Sequence, residues 1–242
     1  MPFDPRRLLI ALDFPDAASA RALMSQLDPA TCRVKVGKEL FVAAGPALVR
    51  ELIGAGFEVF LDLKFHDIPN TVAGACRAAS ELGAWMLSVH VAGGRSMLEA
   101  AIEAVRASER PPVLIGITVL TSMDRVALAE LGMSGGPEIW VRRWTTLAAD
   151  AGLDGVVCSP MEAAMLRASH GRGLTLVVPG VRPSGSNAGD QKRIATPAEA
   201  LAAGADYLVI GRPVIRSPDP AGAIRAIVSE ISDFEDHGVP LG

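Results

Sequence analysis

The chain has 242 residues, 50% of them hydrophobic, with 23 Lys and Arg against 27 Asp and Glu. A net charge of −4 offers no basic excess for nucleic acid or an anionic membrane surface, and no apolar run nears the ~20 residues of a membrane span. Three scattered cysteines, Cys32, Cys76 and Cys158, match no zinc or redox spacing and fit a reducing, cytoplasmic setting.

The N-terminal stretch MPFDPRRLLIALDFPD does not read as a signal peptide, because its apolar run is short and Asp13 ends it. RLLIALD (7–13) reads as a first strand and DAASARALMSQL (16–27) as a helix. CRVKVG (32–37) is a second strand, followed by helical GPALVRELIGAG (45–56). EVFLDLK (58–64) is a third strand, followed by helical TVAGACRAASELG (71–83). WMLSVHVA (85–92) is a fourth, with helical SMLEAAIEAVRAS (96–108) after it. VLIGITVL (113–120) is a fifth, and 124–152 has room for a short helix and a full one. DGVVCS (154–159), LTLVVPG (174–180) and YLVIGR (207–212) complete eight. Near-continuous apolar runs suit parallel strands buried on both faces. Gly83, Gly152, Gly171 and Gly204 stand as helix stops. The alternation predicts an α/β fold, one (β/α)8 TIM barrel domain over residues 1–242, with an open doubly wound sheet as the other arrangement of the same elements. The polar tail after Ser232, DFEDHGVPLG, reads as loose.

Active sites of such barrels form at the C-terminal ends of the strands. Asp13 ends the first run, Lys35 lies in the second, Asp62 and Lys64 end the third, and the fifth leads into Thr121-Ser122. Asp62 and Lys64, two apart on a strand, point the same way, and Leu61 and Leu63 point toward the helices. Buried charges are costly unless they pair or meet a ligand. A single pair would suit a structural cap, but charges from three strands at one level point to a site.

The second informative stretch is PGVRPSGSNAGDQKR (179–193), followed at the eighth strand by Gly211-Arg212. The loops after strands seven and eight of these barrels frequently bind phosphate. Glycine-freed backbone N–H groups and the guanidinium groups of Arg182 and Arg212 suit a phosphate dianion. His66 and His90 have no ligand spacing, and HEXXH, CXXC and GxGxxG are absent. The residues therefore indicate a cofactor-free, metal-free enzyme on a small phosphorylated ligand. The phosphate would sit at strands seven and eight and the reacting end over strands one to three.

DLKFHDIPNT (62–71), PGVRPSG with GDQKR after strand seven, and IGR at strand eight resemble the orotidine 5′-phosphate decarboxylases in their bacterial short form, over essentially the whole chain. The resemblance implies a TIM-barrel homodimer that converts orotidine 5′-monophosphate to UMP and CO2 without metal or organic cofactor. Lys64 is then the proton donor to C6, and Asp62 faces the substrate carboxylate. Lys35 and Asp67 complete a Lys-Asp-Lys-Asp array, with Asp67 and Thr71 reaching into the partner subunit's site. Asp13 and Lys35 contact the ribose, Thr121, Ser122 and Pro179 hold the base, and Ile68 is among the ligand contacts. Gln191, Gly211 and Arg212 hold the phosphate, and Arg182 belongs to the same closing loop. Two other readings compete: a sister barrel such as 3-keto-gulonate 6-phosphate decarboxylase or hexulose 6-phosphate synthase, which uses Mg2+, and a non-catalytic phosphate-ligand binder.

Overall fold

The computed structural model describes residues 3–183 and 195–236. Eight parallel strands close on themselves in chain order: β1 (Leu8–Ala11), β2 (Arg33–Gly37), β3 (Val59–Phe65), β4 (Met86–His90), β5 (Val113–Ile117), β6 (Gly155–Val157), β7 (Thr175–Val178) and β8 (Tyr207–Ile210). Between and after them run α1 (Ala17–Met24), α2 (Lys38–Gly54), α3 (Pro69–Glu81), α4 (Arg95–Arg106), α5 (Arg125–Glu130), α6 (Pro137–Ala151), α7 (Pro160–His170), α8 (Pro197–Ala202), α9 (Arg212–Ile215) and α10 (Pro220–Asp236). This is the (β/α)8 barrel, and the open-sheet alternative falls because β1 pairs with β8.

The strand period sorts side chains into two cores. Leu9, Phe60, Met86, Ile115 and Val177 fill the barrel interior. Residues of the other parity, such as Leu8, Ile10, Val34, Val36, Leu61, Leu87 and Leu114, pack outward against the helices. Leu63 lies partly buried against that outer layer, as the alternation requires. Truncating a fully buried ring such as Phe60 would cost about 3–5 kcal/mol. The N-terminal end of the barrel is closed by Arg33, whose guanidinium lies 4.3 Å over Trp85 and 5.5 Å over Tyr207 and pairs with Glu58.

Helix starts follow the local sequence. Asp16 accepts from the Ser19 N–H at 2.8 Å to cap α1, Asp124 caps α5, and proline opens α3, α6, α7, α8 and α10, where its missing N–H costs nothing. The four glycine stops all have positive φ.

Several boundaries differ from the sequence reading. β1 ends at Ala11 and β5 at Ile117, so Asp13 sits just past the ladder, in the mouth, and Thr118 follows β5 buried, its hydroxyl donating to Val157 O at 2.7 Å. The helix expected over 45–56 is the second half of α2, which already begins at Lys38 and is interrupted at Gly45 (φ 67) ahead of Pro46. Only a residue without Cβ takes that angle easily, and proline then restarts the helix. The tail read as loose after Ser232 is helical through Asp236, because Ile224, Ile227 and Ile231 bury one stripe of α10 and carry the helix past the last apolar anchor. Residues 237–242 lie outside the described residues.

Candidate active site

β3 carries Phe60, Asp62 and Lys64 on its inner face, and all three line one cavity. β2 runs beside it with Lys35 opposite Phe60 and Gly37 opposite Asp62, so the Lys35 side chain reaches forward to the carboxylate. Asp62 Oδ2 accepts from Lys64 Nζ at 2.6 Å, and the same oxygen lies 3.5 Å from Lys35 Nζ. Lys35 Nζ is also 3.5 Å from Asp13 Oδ1. The result is a continuous Asp13-Lys35-Asp62-Lys64 chain of alternating charge drawn from three adjacent strand ends.

Burial grades along this chain. Lys35 and Asp62 are buried, at 9% and 6% exposure, whereas the Asp13 side chain is 59% exposed. Burial acts to raise the Asp62 pKa. Lys35, then Lys64, and the hydroxyl of Ser88, which donates to Oδ1 at 2.8 Å, outweigh it and hold the carboxyl below its ordinary 3.8. Lys64 is held below its ordinary 10.5, chiefly by burial; Asp62 opposes that shift while Lys35 and Lys38 reinforce it. The asymmetry follows from the count of neighbours: the carboxylate faces two ammoniums, and Lys64 faces one carboxylate and two cations. His90, whose ring centroid lies 5.4 Å from that of His66, is pushed down to about 4 by burial first and by His66 next.

The cavity has a volume of about 580 Å3, enough for a drug-sized or nucleotide-sized ligand. Its floor is the upper layer of the barrel interior, including Ala11, Phe60, Ile117, Val157, Val177 and Val209. Of the residues singled out from the sequence, Asp13, Lys35, Asp62, Lys64, Thr121, Pro179, Arg182, Gly211 and Arg212 all line it. Arg182 is buried; its backbone N–H donates to Ala195 O at 2.9 Å, and its Nη1 donates to Val181 O at 2.8 Å. Five cationic side chains, Lys35, Lys64, Arg182, Arg212 and Arg216, meet two carboxylates, Asp13 and Asp62.

Other named residues stand elsewhere in this single copy. Asp67 and Ile68 line a separate open hollow with His66, Pro69, Ala92 and Gly93, and Asp67 Oδ1 accepts from the Ile68 N–H at 2.6 Å. Thr71 is exposed on α3 and Ser122 is exposed after β5; neither lines the cavity. Gln191, with the rest of 184–194, lies outside the described residues. Sequence reasoning missed Arg216, which lines the cavity beside Arg212; its place four residues after Arg212 on one helical face was the available signal. It also missed Ser88, since one serine in an apolar strand carries no pattern. Among the described residues, no three His, Cys, Asp or Glu side chains gather as a metal-binding group, and no helix is long and apolar enough to cross a membrane.

Fold and cavity together define a (β/α)8-barrel enzyme whose mouth is built for a small anionic ligand. Over residues 6–227 the chain matches the sequence model of the Orotidine 5'-phosphate decarboxylase / HUMPS family, and it belongs to that family. It is 60% identical over 228 residues to a Halorhodospira halophila protein named orotidine 5'-phosphate decarboxylase, covering 94% of this chain and 97% of that one. A Nitrosococcus oceani protein of the same name is 56% identical over 227 residues, covering 94% and 98%. Among solved structures, orotidine 5'-phosphate decarboxylase from Lactobacillus acidophilus superposes with a TM-score of 0.84 at 35% identity, over 93% of this chain and 99% of that one. An uncharacterized conserved protein from Geobacillus kaustophilus superposes with a TM-score of 0.82 at 40% identity, over the same shares.

Proposed function

We propose that this chain decarboxylates orotidine 5′-monophosphate to UMP, in pyrimidine nucleotide synthesis, with its own side chains as the catalytic groups and no metal or organic cofactor. The observation that carries the reading is the two-ended cavity: the Lys35-Asp62-Lys64 cluster at β2 and β3, and Gly211, Arg212 and Arg182 on the β7–β8 side. A ligand with a carboxylated base at one end and a phosphate at the other suits that polarity. Full-length relatives at 54–60% identity carry this activity in their names, which favours it over the sugar-phosphate branch of the family.

In this reading the C6–carboxylate bond breaks, CO2 leaves, and the electron pair remains at C6. Lys64, an ammonium already fixed against Asp62, donates the proton that forms the C6–H bond. Burial, which lowers the Lys64 pKa, makes it the stronger acid. One positive charge about 4 Å from the developing carbanion is worth ~4 kcal/mol at an effective dielectric near 20, and it needs no reorganisation at the moment of reaction. Asp62 faces the departing carboxylate, Asp13 and Lys35 hold the ribose hydroxyls, and Thr121, Ser122 and Pro179 hold the base. Gly211, Arg212 and Gln191 take the phosphate, and Arg182 with its loop contributes remote binding energy to closure.

Asp67, Ile68 and Thr71 enter this scheme through a second copy of the chain. They lie together on an exposed segment outside their own cavity, and Ile68 is an apolar side chain 66% exposed. A homodimer that lays this segment over the partner's cavity would extend the charge array with Asp67. The three cysteines are free and buried, which supports a reducing, cytoplasmic setting.

Ultraviolet absorbance during incubation of EDTA-treated protein with orotidine 5′-monophosphate tests the function. Conversion to UMP is expected. No conversion with UMP bound, by calorimetry, would make the chain a binder; no conversion and no UMP binding, with activity on a sugar phosphate once Mg2+ is restored, would move it to the other branch.

A further inference from the structure

The edge between β3 and β4 is irregular beneath the Lys64–Asp62 pair. Phe60 pairs with Met86 and Leu61 with Leu87, but the next pair is Phe65 with Val89. Asp62, Leu63 and Lys64 therefore bulge out opposite one residue, Ser88. Within the bulge Lys64 takes φ 54, the one positive φ of a non-glycine residue among those described, in a region disfavoured for side chains with a Cβ. Bulges of this kind re-aim side chains beside active sites.

Ser88 is fully buried, at 0% exposure, and its hydroxyl is committed on both sides. It accepts from the displaced Lys64 N–H at 2.9 Å and donates to Asp62 Oδ1 at 2.8 Å, while Asp62 Oδ2 takes Lys64 Nζ at 2.6 Å. An ionised carboxylate only accepts and a backbone N–H only donates, so the single hydroxyl hydrogen has one place to go. An apolar side chain here would strand both groups in a buried setting. Ser88 is not part of the cavity wall.

We propose that Ser88 is a positioning residue of the reaction: its hydroxyl locks the bulge that aims the Lys64 ammonium and fixes the rotation of the Asp62 carboxylate, without touching substrate. The inference rests on the decarboxylase reading above. It differs from a packing role in what it predicts for the proton donor alone, because a small misplacement of a reacting group costs rate rather than affinity.

The experiment compares wild type, Ser88→Ala and Ser88→Thr for kcat and KM with orotidine 5′-monophosphate, and for UMP affinity by calorimetry. Ser88→Ala is expected to lose kcat by about 10- to 100-fold with UMP affinity unchanged, and Ser88→Thr, which keeps the hydroxyl, to retain most of kcat. Wild-type kcat in Ser88→Ala overturns the proposal. So does equal loss in a folded Ser88→Thr, or a loss of UMP affinity that matches the loss of kcat. If Ser88→Ala does not fold, Ser88→Cys takes its place: a lowered kcat with UMP bound supports the proposal, and wild-type kcat or failure to fold overturns it. Wild-type protein without turnover would instead remove the decarboxylase reading, a result visible in the same assay before any variant is compared.

Discussion

Asp62 Oδ2 takes both Lys64 Nζ, at 2.6 Å, and Lys35 Nζ, at 3.5 Å, so one buried carboxylate oxygen organises two ammonium groups from neighbouring strands. Its negative charge offsets the repulsion between the two ammonium groups, which is strong in a partly dry site.

Removing Lys64 should separate chemistry from binding. Lys64→Ala is expected to lower kcat by about 10³-fold or more, with UMP still bound in calorimetry. Turnover near wild type would remove Lys64 from the proton-donor role.

The carboxylate should show in acid stability. Asp62 titrates below its ordinary 3.8, so its contribution is fully present above that value and is lost as pH falls through the lower folded pKa. Asp62→Asn leaves Lys64 without its carboxylate and the buried Lys35 with Asp13 alone, and is expected to cost about 3–5 kcal/mol at neutral pH. Urea unfolding of both chains should show that gap narrowing below pH 3.8. A gap independent of pH would contradict the ion pairing.

Lys64 is expected to set the alkaline limit of activity. Its pKa is depressed from 10.5 by burial, so the donor ammonium is lost, and activity with it, at a pH below 10.5. The same depression makes this group's contribution to stability rise, not fall, as pH climbs through its folded pKa toward 10.5. A kcat/KM profile still flat at pH 10.5 would exclude Lys64 as the titrating acid.

A shared site predicts complementation. Asp67→Ala and Lys64→Ala are each expected to be inactive alone. Mixed one to one, half the dimers are hybrid and each has one complete site, so about a quarter of wild-type activity should return. No recovery after demonstrated subunit exchange would confine Asp67 to its own protomer.

The proposed phosphate contact of Arg212 is testable by affinity. Arg212→Ala is expected to weaken UMP binding by about 10- to 100-fold, the worth of one charge-assisted hydrogen bond, with Arg212→Lys intermediate because an ammonium lacks the forked geometry. Equal affinity for UMP and uridine in wild type would deny a phosphate site altogether.

The order and type of the elements were legible in the sequence because burial on both faces of a parallel sheet forces apolar runs, and the helices between them carry a period the strands lack. The shared direction of Asp62 and Lys64 followed from the strand period of two, and Arg182 and Arg212, singled out after the seventh and eighth runs, both line the same cavity. Other features required the closed barrel. The approach of Lys35 to Asp62 depends on β2–β3 register, which no local pattern encodes. The bulge that gives Lys64 its positive φ depends on where β4 resumes pairing, and Ser88 acquires a role only because that strand lies alongside. Asp67, five residues from Asp62, faces away from its own cavity because β3 ends at Phe65 and the chain turns outward into α3. Local sequence sets what each segment buries; which charges meet is set by long-range register, through contacts between residues distant in the chain.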